Sequence, residues 1–91
     1  MSKQIKEQLK EEIEVASTLF YQRKDQQAWE KVNAIIGLIL NYIDQIQNTE
    51  QVAILNKGLV EVAGAMERKD TILIADELVH TILPVVETTE E

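Results

Sequence analysis

Apolar residues recur at every third or fourth position along most of the chain, and this spacing constrains the fold more than any other feature. In the first segment they are Ile5, Leu9, Ile13, Ala16 and Phe20. Because an α-helix turns once in about 3.6 residues, such a spacing places the apolar side chains on one narrow face. The pattern predicts an amphipathic helix from about Lys3 to Arg23, with Ser2 as its N-cap.

Two further segments have the same periodicity. The second runs from about Gln26 to Gln47 and is the most apolar, with its buried face centred on Ala28, Val32, Ile35, Ile39, Ile43 and Ile46. A helix this apolar is expected to pack against two neighbours. Its tryptophan, Trp29, is expected in the core, with an exposed aromatic anchor for a partner as the alternative.

The third segment begins with a capping-box pattern at Asn48 and Gln51 and continues to about Arg68. Its apolar positions are Val52, Leu55, Leu59, Val62 and Met66. Gly58 and Gly64 weaken a helix by about 1 kcal/mol each relative to alanine. We therefore expect them to leave room for a neighbouring backbone.

The fourth segment, from Thr71 to at least Leu83, leads into the only proline of the chain, Pro84. Its predicted core face consists of Ala75, Leu78, Val79, Ile82 and Val86. Proline has no N–H to donate to the carbonyl of His80, and it disfavours helical geometry at Leu83. The helix is therefore expected to kink or end there.

The triplet Arg-Lys-Asp occurs twice, at residues 23–25 and 68–70, each time between two predicted helices. Basic residues suit the end of a helix, and an aspartate can accept hydrogen bonds from the first amides of the next one. We therefore predict Asp25 and Asp70 as helix-start residues. The two triplets suggest two helical hairpins of similar design and leave an internal duplication open.

Four amphipathic helices with short connections predict an all-α fold, an antiparallel up-down-up-down four-helix bundle made of two helical hairpins. A chain of 91 residues is expected to form a single domain, 1–91, with a short acidic tail at 87–91. Since the sequence has no cysteine, packing or a partner chain must supply the stability.

The net charge of −7 is concentrated after residue 69, where six acidic residues occur and no lysine or arginine. This distribution argues against binding to nucleic acid and to acidic membrane surfaces. No segment approaches the roughly 20 apolar residues of a membrane span, and the first residues are too charged for a signal peptide. We therefore expect a cytoplasmic protein.

The sequence offers few groups for catalysis, since it has one histidine, no cysteine and no glycine-rich phosphate loop. Glu77 and His80 have the i,i+3 spacing of one half of a carboxylate-bridged di-iron site, but the helical wheel places both outside the core. We expect a protein that is not an enzyme, with no catalytic residue, cofactor or metal. A metal-binding dimer through these two residues remains an alternative.

On the wheel of the fourth helix, Leu73, Glu77, His80 and Pro84 fall together, opposite the core face. Two apolar side chains beside a glutamate and a histidine on an outward face are the candidate partner-binding residues of this chain. An ordinary exposed face with one stray leucine is the alternative.

Residues 65–70, residues 72–78 and the later Leu83-Pro84 form a pattern of Lys-Asp, aliphatic residues, Ala-Asp and Leu-Pro. This pattern resembles small helical-bundle proteins of low-GC Gram-positive bacteria. Such proteins often occur beside flagellar genes, where small helical bundles often act as export chaperones. The resemblance implies a protein-binding role and assigns no binding residue.

These observations together predict a non-enzymatic protein–protein interaction module, a small chaperone or adaptor that binds a partner helix through its first and fourth helices. The alternative is a self-associating homodimer, in which two copies bury the apolar excess of the second and fourth helices between them.

Overall fold

The computed structural model describes residues 2–88. This part of the chain forms four helices and contains no strand: α1 (Ser2–Tyr21), α2 (Asp25–Ile43), α3 (Thr49–Glu67) and α4 (residues 71–88). The predicted all-α four-helix bundle is thereby confirmed. Of the predicted acidic tail, residues 87 and 88 belong to α4, and 89–91 lie outside the described residues.

The first and fourth helices occupy the centre of the arrangement. α1 packs against both α2 and α4, and α3 packs against α4. Although α2 and α3 are consecutive, they make much less contact with each other. The order of neighbours is therefore α2, α1, α4, α3, and α2 packs mainly on one helix rather than equally on two.

The core is built from apolar side chains of all four helices. The buried residues are Leu9, Ile13, Ala16 and Phe20 of α1, Ala28, Val32, Ile35, Ile39 and Tyr42 of α2, Leu55, Val62 and Ala65 of α3, and Ile74, Ala75, Leu78, Ile82, Val85 and Val86 of α4. The narrow stripe predicted for α1 is confirmed. Trp29 is half-buried and packs edge-to-face on Phe20, with ring centroids 6.2 Å apart, which closes the loop end of the first hairpin.

Several helix boundaries differ from the sequence prediction. α1 already includes Ser2 and ends at Tyr21, two residues early. α2 ends at Ile43 rather than Gln47. The amides of Gln45 and Ile46 donate to carbonyls three residues back, and these tighter turns end the α-helical hydrogen-bond pattern. Ile46 is consequently a half-buried loop residue.

The two hairpin loops, residues 22–24 and 68–70, have the same backbone hydrogen bonds after a shift of 46 residues. In each, the third loop amide donates five residues back, from Lys24 to Leu19 and from Asp70 to Ala65, as in a Schellman motif. The residue that must adopt a positive φ is Arg23 (63°) in the first loop and Lys69 (57°) in the second. The Arg-Lys-Asp triplets are 45 residues apart and therefore occupy different loop positions.

This shift separates the two aspartates. Asp70 is the N-cap of α4, and its Oδ1 accepts a hydrogen bond of 3.1 Å from the Leu73 amide. Asp25 is already the first residue of α2, and the N-cap position belongs to Lys24. The buried Oδ1 of Asp25 accepts no hydrogen bond from any described residue. The prediction for Asp70 is confirmed, and that for Asp25 is wrong.

Helix α4 continues past Pro84, which corrects the expectation that it might end there. Its pieces are Thr71–Glu77, a π turn at Leu78–Ile82, and a last α-helical piece, Leu83–Thr88. The Leu83 amide donates to the Leu78 carbonyl, five residues back. Because a π turn uses such i→i−5 bonds, the His80 carbonyl needs no donor at residue 84, which proline cannot supply.

Gly58 is the glycine at which two helices come together. It is buried, and a Cβ built on it would lie 2.9 Å from Cγ1 of Ile82 in the π turn. The space predicted at Gly58 therefore admits a side chain of α4. Gly64 was expected to serve similarly, but a Cβ there would meet only the Arg68 guanidinium at 3.5 Å.

Candidate functional site

The structure does not bring the four predicted partner-binding residues to one exposed face. Leu73 is half-buried and packs against the core, and Glu77 is also half-buried, whereas His80 and Pro84 are exposed. Leu73 and Glu77 both precede the π turn at Leu78–Ile82, so their partial burial reflects the packing of the first part of α4 against its neighbours. The helical wheel drawn at about 100° per residue placed these two residues too far from the core.

The structure also corrects the predicted core face of α4. Val85 and Val86, which are adjacent in sequence, are both buried, and Val79 is only half-buried. The role of Leu73, Glu77, His80 and Pro84 in binding stays a prediction, with His80 and Pro84 as its exposed members.

A hydrogen bond that the sequence analysis missed joins α1 to α4. The Tyr21 hydroxyl donates to Oδ1 of Asp76 over 3.0 Å. Partial burial raises the pKa of Tyr21, and the Asp76 carboxylate that accepts the bond raises it further, because a nearby negative charge disfavours the phenolate. The two residues are 55 positions apart, so no local pattern could have indicated the pair.

An apolar surface lies on the outside of the first hairpin. It consists of Val15 and Leu19 on α1 and Ala34 on α2, and we call these three residues the α1–α2 face. The Val15 side chain is 39% exposed, Leu19 is half-buried and Ala34 is exposed. Val15 and Leu19 are one helical turn apart and lie outside the buried stripe of α1. That spacing is the signal by which the sequence could have indicated them.

Two shallow depressions adjoin this face and share Val15 and Leu19. One lies along α1 and is completed by Glu11, Glu14 and Thr18. The other lies between the helices and is completed by Glu12, Gln27, Glu30, Lys31 and Ala34. The shared side chains thus form an apolar ridge with a depression beside them on α1 and another towards α2.

The charges around the face are mainly acidic. Among the residues that line the two depressions, the basic one is Lys31. Its Nζ lies 3.0 Å from Oε2 of Glu12, so its charge is already neutralised by an ion pair. The glutamates left over are Glu11 and Glu14 on α1 and Glu30 on α2. The surface offers apolar contact framed by negative charge.

Other exposed apolar side chains occur singly on the remaining helices. They are Leu40 on α2, Ile54 and Val60 on α3, and Ile72 on α4. Isolated exposed apolar residues are normal on protein surfaces. Leu40 lies on the helix that makes the least contact with its successor.

Within residues 2–88, no three His, Asp or Glu side chains come together as a metal ion would require. Glu77 and His80, the predicted half-site, also differ in burial. None of the helices in the same range is long and apolar enough to cross a membrane.

Comparison with known proteins gives one result at the level of family. No curated protein and no solved structure matches the chain. A family model described as "Domain of unknown function (DUF8042)" matches residues 2–91, which is nearly the whole chain. The chain therefore belongs to the DUF8042 family.

Proposed function

We propose that the protein is a non-enzymatic protein–protein interaction module, a small chaperone or adaptor that binds a helix of a partner protein. The observation that carries this proposal is the α1–α2 face. Val15 is 39% exposed, Leu19 is half-buried against the core, and the two side chains lie beside two depressions. Complete burial of an exposed aliphatic side chain contributes about 1.5–3 kcal/mol, and a partner that covers the remaining exposed area of both residues would gain a fraction of that.

The form of the surface favours a helical partner. The depressions lie along α1 and between α1 and α2, and the apolar residues follow one helix at a one-turn spacing. An amphipathic helix that lies in a groove between two helices is a recurrent mode of peptide recognition. The exposed residues of the α4 patch, His80 and Pro84, are a second candidate location for the partner.

The setting suggested by the sequence directs the search for that partner. The sequence lacks cysteine, which suits a reducing compartment, and we propose the cytoplasm as the location. The resemblance to small bundles encoded beside flagellar genes makes a motility or exported protein the first class of partner to look for.

Photo-crosslinking in cells tests the proposal. A crosslinking amino acid is placed at residue 15, at residue 80, or at residue 60 of α3, where the native Val60 is 69% exposed. Crosslinks to one other protein from residue 15 or residue 80, but not from residue 60, support the interaction module. If none of the three positions crosslinks to another protein, the proposal is wrong.

A homodimer is the second candidate, and the packing of α2 favours it. α2 and α3 make little contact, Ile36 of α2 and Leu59 of α3 are only half-buried, and Leu40 of α2 is 54% exposed. Two copies could cover these side chains. Sedimentation equilibrium over a wide concentration range would then give a dimer mass that Leu40→Asp reduces, whereas a constant monomer mass excludes this alternative.

A further inference from the structure

We infer that the α1–α2 face binds an amphipathic helix whose apolar stripe is flanked by lysine or arginine residues. This inference rests on the proposed function and specifies the chemistry of the partner. It combines two independent features of the surface, its apolar ridge and the charges that frame it.

The apolar part determines the shape of the ligand. Val15 and Leu19 project from one helix a turn apart, and Ala34 on α2 is small enough to let a second backbone come close. A helix placed along this groove would bring apolar residues at i, i+3 or i+4, and i+7 against the ridge. The stripe of the ligand is therefore narrow, with polar residues beginning close to each side.

The charged part determines what those flanking residues are. Glu11 and Glu14 line the depression on α1, and Glu30 lines the depression towards α2. Lys31 does not offset them, because Glu12 already pairs with it at 3.0 Å. The negative charge is thus clearest on the α1 side, because Glu30 also lines a depression together with Arg23 and Lys24. Lysine or arginine beside the ligand stripe on the α1 side would complement it.

The same charges argue against two other occupants. An isologous contact between two copies would bring Glu11, Glu14 and Glu30 of each copy, which form no ion pair with a described residue, close to one another. Like charges across an interface oppose association. An anionic lipid surface would be repelled for the same reason. A basic amphipathic helix is the ligand whose binding both the apolar and the charged residues of the face would favour.

The test uses two synthetic helical peptides with the same leucine stripe, one with lysine and one with glutamate flanks. Binding to the full chain is measured by titration calorimetry, and the contact surface is mapped by amide NMR shifts. We expect the lysine peptide to bind at least tenfold more tightly than the glutamate peptide and to shift Val15, Leu19 and Ala34. Added salt should weaken its binding.

Matched variants locate the site. Val15→Asp should weaken binding of the lysine peptide at least tenfold, and Glu11→Lys combined with Glu14→Lys should do the same. Val60→Asp on α3 introduces the same charge on another helix and should leave affinity unchanged. Melting temperatures close to that of the unaltered protein show that the variants keep their fold.

Three results would overturn the inference: equal affinity for the two peptides, no binding of either, or shifts that map to His80 and the amides next to Pro84 instead. The crosslinking experiment separates these failures from failure of the proposed function. A partner crosslinked only from residue 80 keeps the interaction module and removes the α1–α2 face from it. Absence of any crosslinked partner removes the function itself.

Discussion

Gly58 of α3 lies against Ile82 of α4, and a Cβ at residue 58 would be only 2.9 Å from Cγ1 of that isoleucine. The contact joins the third helix to the π turn of the fourth. Cγ1 is attached directly to the Cβ of a fully buried side chain, so it cannot easily move aside. The hydrogen atom of glycine is what allows this packing.

Gly58→Ala is therefore expected to destabilise the protein by about 1–3 kcal/mol, because overpacking outweighs the better helix propensity of alanine. Gly37→Ala is the matched control, since a Cβ there meets nothing within 4 Å. The control should stabilise the fold by up to about 1 kcal/mol. Urea unfolding of both variants measures the difference, and stabilisation by both would contradict the close contact.

Replacement of the positive-φ loop residues by glycine should stabilise both hairpins. Arg23 and Lys69 have φ values of 63° and 57°, where a Cβ is strained. Arg23→Gly and Lys69→Gly should each raise the free energy of unfolding by roughly 0.5–1 kcal/mol after allowance for the flexibility of glycine in the unfolded chain. Arg68→Gly, at a φ of −84°, should lower it instead. Equal effects at residues 68 and 69 would contradict the assigned conformations.

The two aspartates of the repeated triplet should respond differently to alanine substitution. Asp70→Ala removes the acceptor of the Leu73 amide and should cost about 1 kcal/mol. Asp25→Ala removes no such cap, because Asp25 lies inside α2 and its Oδ1 accepts no hydrogen bond from a described residue. Thermal unfolding of the two variants compares them directly. A larger loss at Asp25 would contradict the shifted positions of the two triplets.

The Tyr21–Asp76 hydrogen bond should make stability fall at alkaline pH. The folded protein raises the pKa of Tyr21, so the unfolded chain, with its ordinary value of about 10, loses the phenolic proton first. The contribution of Tyr21 to the free energy of unfolding is complete below about pH 10, and it is lost as the pH rises through the pKa that Tyr21 has in the folded state. The effect is small, because Tyr21 is 51% exposed.

The measurement is the difference in unfolding free energy between the unaltered protein and Tyr21→Phe, taken from pH 8 to about pH 11. The variant lacks the titrating group and leaves Tyr42 in place, so the subtraction isolates Tyr21. The difference should shrink as pH rises. A constant difference would show that the contact with Asp76 does not raise the pKa of the Tyr21 hydroxyl in the folded protein.

The π turn should tolerate the loss of one residue. Removal of the exposed His80 together with Pro84→Ala would leave an ordinary α turn and keep Val85 and Val86 directed at the core. Deletion of the exposed Asn33 from α2 is the control. In a regular helix this deletion rotates the residues on one side of it, so that their apolar side chains no longer face the core. Circular dichroism and urea unfolding should find the first variant folded and the second one destabilised by several kcal/mol. Unfolding of both variants would contradict the role given to the π turn.

The apolar spacing of the sequence predicts the buried residues correctly where a regular helix packs against the core. The stripe of α1 agrees with the structure because its spacing is uninterrupted from Leu9 to Phe20. The core face of α4 was predicted correctly at Ala75, Leu78, Ile82 and Val86, and wrongly at Val79, which is only half-buried. The π turn of that helix is not visible on a helical wheel.

The candidate surface was missed for a related reason. Val15 and Leu19 are visible in the sequence as an i,i+4 pair, but their neighbour Ala34 lies on another helix. Only the order of the helices shows that the three residues meet. The Tyr21–Asp76 bond was missed similarly, since it depends on α1 lying beside α4.

The central position of α1 also determines when the bundle can be completed during synthesis on a ribosome. The first hairpin can fold as soon as α2 has emerged, but the side of α1 that packs on α4 stays uncovered until the fourth helix has been translated. A nascent chain that stalls before residue 71 would therefore expose part of the future core.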